Sequence, residues 1–378
     1  MKYMGSKRTM LSNGLGEMLR AHVGEVHRFV DLFAGSSAVS WFVAENSKCE
    51  VIAGDLQAFA VALAEAVISR EDELNPDPIW RTWSRDAACW LAGNSVYRAA
   101  EVFETRKWSS ARRRNVEEAR KISSESPELI TQAYGGHYFS PKQSLVLDSL
   151  RATLPTDSPE HTVALAALIC AASECAASPG HTAQPFQPTQ GAAKFLFEAW
   201  RRDILDHVER ALKNICPRHA RRAGYGMISD AQTLAEQLCD DDLAFIDPPY
   251  SGVHYSRFYH VLETIARGSG VTVSGIGRYP SPNQRPKSDF SVKSKSKLAL
   301  DKLFSALGKK KVKTIVTFPR EETSNGLSGS YVQTVAERYF AVSKKVVNGR
   351  FSTLGGNLEN RRARVPAYEI ILLMSPRN

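Results

Sequence analysis

What this sequence has little of narrows the field first. Its 378 residues hold only six cysteines (Cys49, Cys89, Cys170, Cys175, Cys216 and Cys239), with no Cys-x-x-Cys pair and no nearby histidine doublet. That argues against a zinc site and against a disulfide framework, so the thiols read as reduced and mostly buried. No apolar run reaches the roughly 18 residues of a membrane span. The longest, Thr162 to Ala177, is broken by Ser173 and Glu174, and Met1 to Arg8 has no apolar stretch of a signal peptide. We therefore expect a cytoplasmic protein with no membrane and no metal. Repeats and low-complexity tracts are missing too. Acidic residues are in deficit, 40 against 49 Lys and Arg, for a formal charge of +9. Such a balance suits a polyanionic partner, although on charge alone the odds are even.

The remainder is ordinary globular material, 43% hydrophobic and 24% charged, long enough for a main domain and a second unit. Short apolar runs repeatedly end on an aspartate or a turn: Phe29-Val30 before Asp31, Val51-Ile52 before Asp55, Met227-Ile228 before Asp230, and Leu243 to Ile246 before Asp247. Ligands of open α/β sheets bind beyond the carboxyl ends of parallel strands, so this rhythm predicts one crevice lined by four strand ends. Thr314 to Phe318, before Pro319, reads as a fifth strand, and Tyr368 to Leu373 as another.

Between about Ser69 and Arg222 helical signals replace that rhythm. Ser140-Pro141-Lys142-Gln143 has the form of a capping box with proline at the first helical position. Ala164 to Ala177 reads as a buried helix stopped by Ser178-Pro179-Gly180, and Leu196, Trp200, Ile204, Val208 and Leu212 as the stripe of one longer helix. The expected architecture is a Rossmann-like, two-part α/β domain with a mainly helical insertion between its second and third strands. Its parts are 1–70 (cofactor-binding), 71–222 (insertion) and 223–378 (catalytic).

Two motifs carry chemistry. In Asp31-Leu32-Phe33-Ala34-Gly35-Ser36-Ser37 a small-residue turn joins a strand to a helix beginning near Ala38, which lets backbone approach a ligand closely. It lacks the full Gly-x-Gly-x-x-Gly spacing and a P-loop lysine, so a nucleotide-like ligand without phosphates fits better. Asp55 follows at about the spacing of an acid that grips ribose hydroxyls. Asp247-Pro248-Pro249-Tyr250 is more telling, because two prolines after a buried strand cannot continue a ladder and instead fix a rigid backbone. A planar amino nitrogen such as adenine's is a poor nucleophile and has to be held in line with a methyl donor. Asp247 and the Pro248 carbonyl would accept its two N–H bonds, and Tyr250 would stack on a flipped-out base.

The ordered set Lys2 to Lys7, Asp31 to Ser36, and Asp247 to Tyr250, extended by Tyr255-Ser256-Arg257-Phe258-Tyr259-His260, resembles the Dam-like (D12 class) DNA adenine-N6 methyltransferases. The resemblance implies a Rossmann-like, S-adenosylmethionine-dependent methyltransferase sheet, the helical insertion as its target-recognition region, and S-adenosylmethionine as cofactor. Asp31, Phe33, Ala34, Gly35 and Ser36 would surround its methionine part, Asp55 its ribose and Asp230 its adenine. Lys7 would lie near its carboxylate or the entering base, and Tyr255 or Phe258 would line the base pocket. Serine at 37 departs from the family's usual glycine and alters the turn slightly. The implied partner is double-stranded DNA, met by a monomer or weak dimer, in restriction-modification or DNA protection. Cytosine N4, an RNA adenine or a protein amide offers the same planar nitrogen, and a catalytically silent DNA-binding relative would keep the fold. Aspartate rather than serine at 247 leans towards adenine by the same resemblance.

Basic clusters stand at Arg112 to Arg114, at Arg218, Arg221 and Arg222, from Arg285 through Lys297, at Lys309 to Lys311, and at Arg361, Arg362 and Arg364. Ser281 to Lys297, poor in apolar residues, is expected to be a mobile loop that closes over DNA.

Overall fold

The computed structural model describes residues 3, 5–105, 108, 112–352 and 364–377. Lys2 and Met4 of the N-terminal motif and Arg361 and Arg362 of the last basic cluster lie outside the described residues, as does the side chain of Arg364. The chain divides into two compact units. One comprises Met4–Asp72, His219–Tyr255 and Pro286–Asn378, the other Met1–Tyr3, Glu73–Arg218 and Ser256–Arg285. Ser256–Arg285, which the expected partition leaves with the catalytic part, thus clusters with the helical segment.

Nine strands occur in chain order among the described residues: β1 (Arg28–Asp31), β2 (Glu50–Asp55), β3 (Tyr225–Ile228), β4 (Asp242–Ile246), β5 (Val273–Ser274), β6 (Tyr279–Pro280), β7 (Lys313–Pro319), β8 (Phe340–Ser352) and β9 (Arg364–Pro376). In the first unit seven of them form one sheet in the order β3-β2-β1-β4-β7-β9-β8. β3, β2, β1, β4 and β7 run parallel, and β9 is antiparallel to both β7 and β8. Parallel strands covered on both faces read as continuous apolar runs, which is how Phe29-Val30, Val51-Ile52 and Leu243 to Ile246 come to be wholly buried. Helices Ala58–Ile68 and Ser296–Lys309 supply much of the cover. The Rossmann-like expectation is borne out. The chain steps outward from β1 to β3 and returns to β4 on the other side, so the topological switch point lies between β1 and β4, where an open sheet binds its ligand.

The strand β8 escapes the sequence reading. Lys344 and Lys345 interrupt its apolar pattern, and β8 is the sheet's edge, where lysines discourage pairing with other chains.

In the second unit the capping box is formed as expected: Ser140 Oγ accepts the Gln143 N–H and Gln143 Oε1 accepts the Ser140 N–H, ahead of helix Pro141–Ala152. The buried helix runs Glu160–Cys175. The single helix expected over Leu196 to Leu212 is instead two, Ala193–Trp200 and Ile204–Ile215. Asp203 makes the break, its carboxylate accepting the Leu205 and Asp206 N–H groups as an N-cap. Asp148 caps helix Leu129–Tyr134 from a different helix, taking the Ile130 and Thr131 N–H groups at 2.8 Å each. The antiparallel hairpin of β5 and β6 completes this unit. Among the described residues no helix is long and apolar enough to cross a membrane, and no group of three His, Cys, Asp or Glu could hold a metal ion.

Candidate active site

Because β3, β2, β1 and β4 are parallel neighbours, their carboxyl ends bring Asp230, Asp55, Asp31 and Asp247 to one edge of the sheet. The four acids do different things there. Asp31 is turned inward, with Oδ1 accepting the Phe33 N–H at 3.2 Å and Oδ2 the Ser40 hydroxyl at 2.7 Å. Burial pushes its carboxyl up to about 7 despite those donors, and it fixes the turn. Asp55 is half-buried and accepts the Gly35 N–H at 3.0 Å and the Gln57 N–H at 2.9 Å, one per oxygen. A carboxylate at this strand end is the kind of acceptor a ribose diol needs. Asp230 is exposed and caps helix Ala231–Ala235 by accepting the Gln232 and Thr233 N–H groups and the Thr233 hydroxyl.

Between Asp31 and the helix Ala38–Asn46, Gly35 and Ser37 both take left-handed backbone, at φ 51° and 59°. Ala34 and Gly35 are buried, while Phe33 and Ser36 remain partly exposed. Phe33 stands edge-on against Phe290 at 5.2 Å, making an aromatic wall, and the Ser36 hydroxyl bonds to that of Ser6. The departure at Ser37 now has a physical meaning, since a left-handed serine costs roughly 1–2 kcal/mol relative to glycine. Its buried hydroxyl donates to the Ala60 carbonyl, which returns about 1 kcal/mol. Ser37→Gly is therefore expected to leave stability within about 1 kcal/mol of wild type in urea unfolding, once the extra unfolded-chain entropy of glycine is included. A loss beyond about 2 kcal/mol would show that the strain argument is wrong.

At the end of β4 the tetrapeptide is held from several sides. Asp247 Oδ1 accepts the Tyr250 hydroxyl at 2.6 Å and the Thr317 hydroxyl at 2.9 Å, and lies 3.1 Å from Lys7 Nζ. Lys7 is 5% exposed and also donates to the Tyr250 hydroxyl at 2.6 Å and to Glu369 at 2.7 Å. Burial alone would lower the lysine's pKa, but the two carboxylates outweigh it and hold it above its ordinary value. Burial raises the Asp247 carboxyl, with Lys7 opposing. Gly5, at φ 74°, lies so close that a Cβ there would stand 3.1 Å from the Tyr250 ring. The Pro249 carbonyl accepts from Asn325 Nδ2 at 2.7 Å, and the same amide donates to the Phe290 carbonyl at 3.0 Å.

Of the residues expected at the site, Lys7, Asp247 and Tyr250 are in direct contact, and Tyr255 joins them. Burial and the Asp247 charge raise its hydroxyl's pKa, and the Tyr250 backbone N–H bonds to that hydroxyl. Phe258, the alternative to Tyr255, belongs to the other unit, where it is buried against His181 and its carbonyl accepts from Thr182. The Ser281 to Lys297 loop is also tighter than expected, because Asp289–Ser291 form a 3-10 turn that buries Phe290 and Ser291. Sequence reasoning missed Glu369, Thr317 and Asn325. A lone acid inside the apolar run Tyr368 to Leu373 was the one available signal for Glu369.

Residues 3–85 match the family model of the D12 class N6 adenine-specific DNA methyltransferases, which bears out the resemblance seen in the motifs. The chain is also similar to modification methylase LlaI of Lactococcus lactis subsp. lactis, 22% identical over 80% of this chain and 44% of the relative. It is 26% identical to type II methyltransferase M.FokI of Planomicrobium okeanokoites over 70% of this chain and 37% of the relative. Modification methylase StsI of Streptococcus sanguinis is 24% identical over 79% and 41%, respectively. The chain thus spans less than half the length of the curated relatives it matches.

Proposed function

We propose that this chain is a site-specific DNA adenine-N6 methyltransferase that modifies an adenine flipped out of duplex DNA, in a restriction-modification or DNA-protection setting. The observation that carries this reading is the position of Asp247, at the switch point beside the β1 turn, on a backbone stiffened by Pro248 and Pro249 and fastened by Asn325. S-adenosylmethionine, the implied cofactor, would supply an electrophilic methyl group. The residues fit it: Asp55 sets a carboxylate at the end of β2 beside the Gly35 turn, Phe33 offers an aromatic wall, and Gly35 and Ser36 let backbone come close. Asp31 would serve that site by holding the turn. Asp230 would present to the adenine only the lone pairs its helix cap leaves.

At the catalytic end, Asp247 would accept one N–H of the target amine and the Pro248 carbonyl the other. Both localise the nitrogen lone pair and stabilise the positive charge that grows on it. Three donors converge on Asp247 Oδ1 in the structure, so a substrate N–H accepted at that oxygen would exchange with the Tyr250 O–H. The Tyr250 ring would stack on the base, worth roughly 1 to 3 kcal/mol. Tyr255 would line the same pocket, and the helical segment 71–222 would read the target sequence.

The test is expression in a methylation-deficient bacterial host with long-read mapping of modified bases. N6-methyladenine in a fixed sequence context is the expected result. Modified cytosine in its place, or unmodified DNA alongside methylated RNA or protein, would overturn the reading.

A further inference from the structure

Within the helical unit, Ser256–Arg285 contains four arginines and one acid, Glu263. Two of the four are committed. Arg267 pairs with Glu263 at 2.5 Å, and Arg278 donates to the Ala133 and Gln132 carbonyls at 2.8 and 3.0 Å, tying the hairpin to the end of a helix. The other two guanidiniums, of Arg257 and Arg285, converge on the ring of Tyr279, 4.5 and 5.7 Å from its centroid. Among the described residues neither has a carboxylate partner, and Arg285 Nε is buried with no hydrogen-bond acceptor. Burial and the like charge of Arg257 both pull the Arg285 pKa down.

The ring that gathers them is fixed. The Tyr279 hydroxyl donates to the Ala183 carbonyl, and a Cβ at Gly277 would collide with the ring, so the hairpin backbone closes against it. His260, 5.0 Å away, adds no third charge near neutral pH, because burial pushes its pKa down to about 4. Two like charges held on one fixed ring, close enough that Arg257 lowers the Arg285 pKa, repel, and an anion between them relieves that repulsion. Guanidinium forks match phosphate oxygens in geometry as well as charge.

We propose that Arg257 and Arg285, gathered on Tyr279, form a binding site for a phosphodiester of the DNA backbone. This site rests on the DNA reading above but is separate from Asp247 and the cofactor residues. Ile276, 65% exposed at the tip of the same hairpin, extends the surface beyond the cations, as binding of a polymer requires and binding of a free phosphate does not. A phosphodiester carries no base identity, so the site contributes to all duplexes alike.

The experiment measures binding of a fluorescent 30-bp duplex of arbitrary sequence between about 50 and 200 mM salt. Wild type is compared with R257Q/R285Q and R257K/R285K. Every phosphate that the protein ceases to neutralise flattens the slope of log K against log salt by about 0.9, so the glutamine variant should lose about one unit of slope and the lysine variant should keep most of it. A glutamine variant with wild-type slope overturns the proposal. So does a lysine variant that loses slope equally, since charge would then not be what matters. Tighter binding of an RNA duplex than of DNA, sensitive to the same substitutions, would reassign the site and overturn it for DNA. A wild-type protein that binds no duplex would refute the DNA reading itself.

Discussion

Asp247→Ala is expected to slow methyl transfer to DNA by about 10²–10³-fold or more while the cofactor still binds. The magnitude follows from the role. A group aimed at charge that develops only in the transition state typically accounts for about 2.7–4 kcal/mol of the barrier. Asp247 is both such an acceptor and the hub on which Tyr250, Thr317 and Lys7 are arranged. Asp247→Asn should fall in between, because its Oδ1 can still accept one N–H while its amide N–H₂ opposes the substrate amine. Cofactor affinity, read by calorimetry, should stay near wild type, since the hydrogen bond between Asp55 and Gly35 does not involve Asp247. Single-turnover rates with labelled cofactor measure the rest. An alanine variant within tenfold of wild type would remove Asp247 from the mechanism.

The parts of this site visible in the sequence are those whose geometry is local. A strand, a turn of small residues and a helix start are continuous in the chain, so Asp31 to Ser36 can be located, and Pro-Pro after a buried strand can only be a rigid turn. Glu369 and Thr317 reach Asp247 through sheet register. Glu369 sits opposite Pro319 because β9 runs antiparallel to β7, and nothing local encodes that pairing. Asn325 is likewise fixed by a loop closing on the Pro249 carbonyl. The strand-end acids show the converse limit. All four are legible in the chain, yet whether a carboxylate faces ligand or backbone depends on donors such as Ser40 and Thr233. Lys7, expected near the cofactor's carboxylate or the entering base, lies on the carboxylate of Asp247. Tyr255 and Phe258, the two alternatives for the base pocket, share one helix, yet fall in different units.

Lys7→Met and Glu369→Gln should move the acid side of the pH–rate profile in opposite directions. Acceptance of the target amine needs Asp247 ionised, so activity falls as pH drops through its pKa, which burial holds above the usual carboxylate range. Lys7 opposes that rise. Removing it raises the Asp247 pKa further, and activity is then lost at a higher pH than in wild type. The Glu369 charge contributes to the rise, so Glu369→Gln lets the Asp247 pKa fall and extends activity to lower pH. Stability separates the pair again. Lys7 is 5% exposed between two carboxylates that are each 15% exposed, and Lys7→Met leaves those acids facing one another without a cation. Breaking such a buried pair costs about 3–5 kcal/mol, whereas removing both partners can be nearly neutral. Lys7→Met/Glu369→Gln removes the cation and one of its two acids and should accordingly recover part of the loss in urea unfolding. Acid limbs that shift the same way in both single variants, or a double variant no more stable than Lys7→Met, would show that Lys7 does not mediate between Asp247 and Glu369.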